Sequence, residues 1–420
     1  MSEVIVIGAG LAGLTAALRL RQENHSVTLL TKGIGGLQLG QGTLDVLGYA
    51  GPRRVERPLE EMAAFVAEHP EHPYAVLGRG PVERGIDWLR TVLGEEQLVG
   101  EADTNRLYPT AVGAIRPTAL VPPSMAAGEL VLGKKLLVVG VRELKDFPAA
   151  LVAGNLARTP LAGGSVEARA ETISFKAFGT GVDFSALAMA RALDEPVRRR
   201  ELVAALKPLV REGESVGLPA ILGANDATAW RDIAEQLGAP VFEIPLPPPS
   251  VPGWRQNEAL VQAVKDARVR LVNGTRVLRS RVQDGRVKGV TIKGTGREVE
   301  YTADHFVLAT GGFESGALVL DSHNELHESV FGLPVRGGRI DDLVHGDYWG
   351  ADQPLFAAGL AVDDRMRPLD ADGAAVHPNL HACGGILAGA QRWSEKSGEG
   401  IALGSAMCAA EAVLADLEEK

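Results

Sequence analysis

The sequence predicts an α/β protein in which a mostly parallel sheet is wound by helices and interrupted by a second α/β lobe. Three observations carry this. Val4-Ile5-Val6-Ile7 is a continuous apolar run at the start of the chain, as expected of a parallel strand buried on both faces. A glycine-rich turn and an apolar-periodic segment follow it directly. Similar strand–helix alternation then recurs near residue 134 and again beyond residue 300.

Taken in order, Val4–Ile7 is the first strand. Leu11 to Arg21 is a helix with Leu11, Leu14 and Leu18 on one side, and Val27 to Leu30 is a second strand. This βαβ pattern calls for a right-handed crossover. Between them stands Gly8-Ala9-Gly10-Leu11-Ala12-Gly13. In such a turn Gly8 makes the bend, Gly10 admits a phosphate close to the backbone, and Gly13 lets helix and strand touch. The helix start then offers free N–H groups and its positive dipole end to the phosphate. These residues predict a Rossmann-like, nucleotide- or flavin-binding domain of the FAD/NAD(P)-binding superfamily.

An acidic residue usually ends the second strand of such a unit and bonds the adenosine ribose. Here the strand ends Leu29-Leu30-Thr31-Lys32, with no carboxylate. Either the adenosine half is held by other groups or the ligand has none, as in FMN. On these residues FMN and FAD both stay open. Thr31 and Lys32 count among the cofactor-binding candidates, Lys32 being compatible with a nearby phosphate. Gly42 and Thr43, in a loop holding six glycines between residues 33 and 52, are counted with them.

Beyond this loop a helix is expected around Leu59 to Ala67, after which Pro70, Pro73 and Pro81 break the chain. Lys135 to Gly140 reads as a buried strand, followed by helices at about Phe147 to Ala157, Asp183 to Leu193, Pro196 to Leu209 and Thr228 to Leu237. Six prolines or glycines in the ten residues 244–253 suggest a stiff linker unable to propagate a helix. The expected division is thus 1–110 as the first part of the flavin domain, 111–243 as the middle lobe and 254–420 as the second part.

In the last part, Arg276 to Gln283 and Val287 to Lys293 flank Asp284-Gly285, a hairpin signal. Strand His305 to Ala309 runs into Thr310-Gly311-Gly312, a second glycine turn at a strand end. Leu380 to Cys383 ends in Gly384-Gly385, and Gly398-Glu399-Gly400-Ile401 opens a final helix. Thr310, Gly311, Gly312, Gly384, Gly400 and Ile401 complete the cofactor candidates, the last pair through N–H groups facing the pyrimidine side of a flavin.

The composition sets limits. Forty-three Lys and Arg against 53 Asp and Glu give a net charge of −10, which argues against a nucleic-acid-binding face. Arg198-Arg199-Arg200, the one basic cluster of note, reads as a solvated helix face. Two cysteines, Cys383 and Cys408, cannot hold an all-cysteine iron–sulfur cluster, so any cluster receiving electrons sits on another subunit. Cys383 reads as a small buried residue. No stretch approaches twenty apolar residues and no signal peptide precedes Val4, so a cytoplasmic protein touching a membrane only through a partner is expected. His377 and His381 have i,i+4 spacing with Pro378 between them, and no metal site is expected. His69 and His72 read as solvated, and Arg116, Arg255, Arg365 and Arg392 as possible clamps for an anionic substrate. No catalytic base is identifiable.

With these pieces in place the chain resembles the B-subunit family of the anaerobic glycerol-3-phosphate dehydrogenases, flavoprotein members of a larger complex. The resemblance runs nearly end to end through Gly8 to Leu14, Gly40-Gln41-Gly42-Thr43-Leu44-Asp45-Val46-Leu47, His72-Pro73-Tyr74, the Leu246-Pro247-Pro248-Pro249-Ser250 segment and Leu308 to Phe313. The turn Ser394 to Gly400 is less glycine-dense than the family's. The resemblance implies an FMN-associated polypeptide working with a catalytic flavin-bearing A subunit, plus an iron–sulfur C subunit, at the inner face of the membrane. It implies oxidation of sn-glycerol 3-phosphate to dihydroxyacetone phosphate, with electrons passed to quinone. Two alternatives stand beside it: a non-catalytic relay or scaffold role, and a stand-alone FAD-dependent oxidoreductase.

Overall fold

The computed structural model describes residues 3–94, 97–294, 296–347 and 350–419. The outer bounds 1 and 420 of the expected division lie outside them. Along the chain run β1 (Val4–Ile7), α1 (Leu11–Gln22), β2 (Val27–Thr31), α2 (Pro58–Glu68) and α3 (Arg79–Leu93). Next come β3 (Lys135–Val141), α4 (Ala149–Arg158), β4 (Glu167–Ile173), α5 (Ala186–Leu193), α6 (Pro196–Leu206), β5 (Glu214–Pro219), α7 (Ala229–Leu237) and β6 (Val241–Ile244). Then follow α8 (Val251–Asp266), β7 (Arg270–Asn273), β8 (Val277–Gln283), β9 (Arg286–Lys293), β10 (Glu298–Thr302), β11 (His305–Leu308), β12 (Leu380–Ala382) and α9 (Gly398–Glu418).

Two compact units emerge. The first comprises Met1–Gly36, Asp45–Val92 and Ala259–Lys420. Its sheet has the order β7-β2-β1-β11-β12, every pairing parallel. Val4 to Ile7 and Phe306 to Leu308 are buried in the middle of it, which explains their unbroken apolar runs. α9 packs on α1 and α3. Gly85 faces Leu403 and Gly404 faces Val82 so closely that a methyl group at either glycine would collide with the opposite helix. The β8–β9–β10 meander turns at Asp284-Gly285, both with positive φ (51° and 72°), as the hairpin signal predicts.

The second unit comprises Leu37–Leu44 and Leu93–Glu258. Its parallel sheet runs β4-β3-β5-β6, and Leu137, Val138, Val152, Leu156, Leu202, Val216 and Phe242 form its core. The units divide differently from the sequence expectation. Residues 93–110 go with the second unit, where Val99 pairs with Val121 and Leu44 bridges Leu120. The chain returns to the first unit within α8, after Glu258.

Three sequence expectations are corrected. The proline-rich segment does not keep helix out of residues 244–253: α8 begins at Val251 and carries Pro252 and Gly253 in its first turn. Backbone N–H groups there have no intrahelical acceptor, so Pro252 costs no hydrogen bond. Arg199 is buried and not part of a solvated face, bound to Asp226 and Asp232 at 2.7 and 2.6 Å. Finally, α9 is by length and composition apolar enough to cross a membrane, against the expectation that no stretch is. Six alanines supply part of that apolar character, and Leu403, Ala406, Ala409, Ala410 and Val413 are buried inside the first unit.

Candidate functional site

The site is built where β1, β11 and β12 end, at the carboxyl edge of the parallel sheet, the place where open α/β sheets take ligands. Gly8 leaves β1 with φ +110° and donates its N–H to the Leu30 carbonyl at 2.8 Å. Its Cα lies against the Ala309 carbonyl, and that of Gly13 against the Gly8 carbonyl, so neither position admits a side chain. Gly10 differs. It is the N-cap of α1, its φ is −80°, and a Cβ there would meet nothing within 4 Å.

No side chain caps α1 and no acidic residue stands in its first turn. The N–H groups of Leu11, Ala12 and Gly13 therefore point out of the helix without intrahelical acceptors, next to the open space before Gly10. This is the chemistry of a phosphate cradle. Beside it the Thr310 hydroxyl is buried without a hydrogen-bond partner. An open cradle and an orphaned buried hydroxyl are what a flavin phosphate with its ribityl chain would satisfy, and the residues present fit that group.

The turns after β11 and β12 close the other side. Gly311 has φ +79°, and the Ser315 hydroxyl shares its one proton between the carbonyls of Thr310 and Gly312, at 2.7 and 2.9 Å. Arg392 spans the two turns, donating through Nη1 to the Gly385 carbonyl at 2.8 Å and through Nη2 to Glu314 at 2.9 Å. Gly384 sits against the Ala12 side chain and spends its N–H on the Ser405 hydroxyl at 2.8 Å. The structure thus brings Gly8, Gly10, Leu11, Ala12, Gly13, Thr310, Gly311, Gly312 and Gly384 together.

The end of β2 also joins this group. Thr31 Oγ1 donates to the Gly33 carbonyl at 2.6 Å, and Lys32 Nζ to the Ser315 carbonyl at 2.5 Å. Lys32 therefore ties the end of β2 to the Thr310–Gly316 turn, in the segment where a ribose-binding carboxylate would ordinarily stand.

Gly400 and Ile401 have a different role from the one the sequence suggests. The Gly400 N–H donates to the Asp45 carbonyl and that of Ile401 to the Ser397 carbonyl, each at 3.0 Å. Both groups are spent, and Gly400 is needed because Tyr74 and Val46 press on its Cα. Gly42 and Thr43 lie in the second unit. Gly42 (φ +77°) packs against Pro252 and accepts from Gln256 at 2.6 Å. Thr43 borders a small, mainly apolar cleft with Tyr108, Pro109, Arg116, Met125 and Glu243.

Of the arginines considered as substrate clamps, Arg392 is engaged as above, Arg255 with Glu243 at 2.8 and 3.0 Å, and Arg365 with Asp416. Arg116 lines the cleft of the second unit. The i,i+4 pair His377 and His381 diverges, His377 bonding the Gly285 carbonyl and His381 the Arg365 carbonyl. Cys383 is fully buried, and burial pushes its thiol up to about 12.

His72 does not face solvent as its loop setting suggests; it is wholly buried. Its Nδ1 accepts from the Tyr74 N–H at 3.1 Å, and Nε2 meets Glu395 at 3.1 Å. Its partner lies far along the chain, and no local spacing announces it. Glu314, the partner of Arg392, escapes sequence reasoning for the same reason.

A family model described as "FAD binding domain" matches residues 3–401. A probable anaerobic glycerol-3-phosphate dehydrogenase B subunit of Halobacterium salinarum is 32% identical over 97% of this chain and 96% of its own length. The corresponding B subunit of Pectobacterium atrosepticum is 30% identical, covering 98% of each chain. Among solved structures, the 3-ketosteroid Δ1-dehydrogenase of Sterolibacterium denitrificans is similar over 99% of each chain, with 14% identity and a TM-score of 0.47.

Proposed function

The chain belongs to the FAD-binding-domain family and to the B-subunit family of the anaerobic glycerol-3-phosphate dehydrogenases, and from that premise we propose that it holds its flavin at the uncapped N-terminus of α1. The observation carrying this reading is the open space before Gly10, where the first N–H groups of α1 have no acceptor and the Thr310 hydroxyl is orphaned. The α1 N-terminus holds the phosphate, Thr310 donates to the ribityl chain, and the Gly311-Gly312 and Gly384-Gly385 turns wall the cofactor. Bound there, the flavin supplies a two-electron acceptor for oxidation of a secondary alcohol.

The full reading is one member of a membrane-associated complex that oxidises sn-glycerol 3-phosphate to dihydroxyacetone phosphate. Its partners are a catalytic flavoprotein, the A subunit, plus an iron–sulfur protein, the C subunit, with quinone as acceptor and membrane contact made through a partner. A relay role within that complex is favoured by one observation: Arg392, Arg255 and Arg365 are committed to internal partners and do not await a phosphate. On the flavin itself two features pull apart. The family description favours FAD, and the absence of a carboxylate at Thr31-Lys32 favours FMN.

The mass of the flavin released by denaturing purified protein decides between them, and protein that neither contains nor rebinds flavin would overturn the assignment. Anaerobic mixing with glycerol 3-phosphate then separates the roles. Bleaching of the isolated protein marks substrate oxidation on this chain, and bleaching only in the presence of the catalytic flavoprotein partner marks a relay.

A further inference from the structure

His305 opens β11 and His381 is the central residue of β12. These strands are parallel neighbours with Val307 opposite His381. The two histidines therefore lie two positions apart in register on one face of the sheet, with ring centroids 6.2 Å apart. Asp416, in the last turn of α9, reaches the same point, its Oδ2 lying 3.8 Å from His305 Nδ1. One ligating atom from each of the three residues lies within 4.8 Å of the other two.

His381 is poised as a ligand. Its Nδ1 is 2.8 Å from the Arg365 carbonyl, and a carbonyl oxygen only accepts, so Nδ1 carries the proton. That leaves Nε2 with a lone pair, fully buried and without a hydrogen-bond partner. A backbone carbonyl fixing one ring nitrogen while the other faces a metal is the usual arrangement of ligating histidines. Arg365 also binds Asp416 through Oδ1, which turns Oδ2 toward the histidines.

We propose that His305, His381 and Asp416 bind one divalent transition-metal ion of the Zn²⁺ class. Two imidazole nitrogens and a carboxylate oxygen suit such an ion, with water in the fourth position. Ligand atoms around tetrahedral Zn²⁺ stand about 3.4 Å apart, so closure needs a small inward shift. Asp416 can supply it, because its side chain is 22% exposed at the end of a helix. The metal would staple the start of β11 and the middle of β12 to the end of α9. The start of β11 is the opposite end of that strand from the Thr310 turn, so the role is structural and not redox.

The test uses full-length, flavin-loaded protein, stripped with a chelator, desalted and titrated calorimetrically with ZnCl₂. One equivalent is expected to bind and to raise the thermal midpoint. Asp416→Asn and His381→Gln are each expected to weaken binding by about 100-fold or more, at or beyond the upper end of what even outer-shell changes cost. His327→Ala, in the exposed Asp321–Glu325–His327 group, is expected to leave binding unchanged. Should His381→Gln fail to fold, Asp416→Asn at the protein edge still decides. Absence of stoichiometric Zn²⁺ binding in the wild type, or wild-type affinity in folded Asp416→Asn, would overturn the proposal.

Discussion

His72 Nε2 lies 3.1 Å from Glu395 Oε2, joining residues 323 positions apart inside the first unit. Because the Tyr74 N–H donates to Nδ1, the imidazole needs no charge: Nε2–H donates to the carboxylate and both ring nitrogens are engaged. Glu395 also accepts from the Gln391 N–H at 2.9 Å and the Ser397 hydroxyl at 2.8 Å. Burial opposes its ionisation, yet the His72 contact and these donors hold its carboxyl below the ordinary value of 4.5. The consequence has a definite sign. A lowered carboxyl pKa contributes stability in full above about pH 4.5, lost as pH falls through the lower folded value. His72→Ala is expected to cost about 2–4 kcal/mol, from the cavity and the unpaired Tyr74 N–H, and to shift the acid-unfolding midpoint upward. Urea titrations across pH 3–7 read both, and an unchanged acid limb would count against the pair.

The glycines of the α1 turn should separate cofactor binding from folding. Gly10 has ordinary φ and open space around it, so Gly10→Glu should fold while its carboxylate occupies the phosphate position and repels the ligand. Gly13 touches the Gly8 carbonyl, so Gly13→Ala must push α1 from β1 at about 1–3 kcal/mol. The expected pattern is flavin lost with thermal midpoint kept for Gly10→Glu, and midpoint lowered for Gly13→Ala. Full flavin content in Gly10→Glu would move the cofactor elsewhere.

How much of this is legible follows from where the information lies. The β1–α1–β2 unit and the Asp284-Gly285 hairpin are written in contiguous residues, as continuous burial, glycine spacing and positive φ, and each reads off the chain. The glycine turn proposed to hold the flavin phosphate is legible for the same reason. Gly400 and His72 are not, because their environment is set by Asp45, Tyr74 and Glu395, brought together only by folding. Arg199 misleads because its neighbours in sequence are arginines, while its partners, Asp226 and Asp232, lie beyond β5. The 244–253 segment misleads because proline count says nothing about position within a helix, and its Pro252 falls in the one turn that tolerates it.

Neither thiol should react in the native state. Burial raises Cys383 to about 12, and burial together with Glu411 raises Cys408 to about 11. At about pH 8 roughly one thiol in a thousand or fewer is then ionised, against about a quarter for a free cysteine. Iodoacetamide should label neither cysteine in folded protein and both after denaturation, as read by intact mass. Rapid native labelling of Cys383 would show instead that the β12 turn opens.

The pair Glu243–Arg255 offers a pH test whose sign reverses on mutation. Glu243 is fully buried on β6, held by two guanidinium contacts from Arg255, the Ser124 hydroxyl at 2.7 Å and the Leu222 N–H at 2.7 Å. Burial pushes its carboxyl up, but Arg255 and these donors outweigh burial and hold it below 4.5. In the wild type its contribution is therefore present above that value and lost below it. Arg255→Met keeps much of the length of the side chain and removes the charge, leaving Glu243 with neutral donors in an apolar setting. Burial then dominates, the carboxyl rises above its unfolded value, and the variant's stability must fall as pH rises through it. The expected loss at neutral pH is about 3–5 kcal/mol, the cost of leaving one member of a buried pair, and it should shrink on acidification toward pH 5. Adding Glu243→Gln to Arg255→Met should recover much of the loss and flatten the pH dependence, because the uncompensated charge is gone. Denaturant midpoints of the wild type, Arg255→Met and the double variant at pH 5, 7 and 8 provide the measurement. A loss in Arg255→Met that is independent of pH would mean that packing around the guanidinium, not the buried carboxylate, is what Arg255 supports.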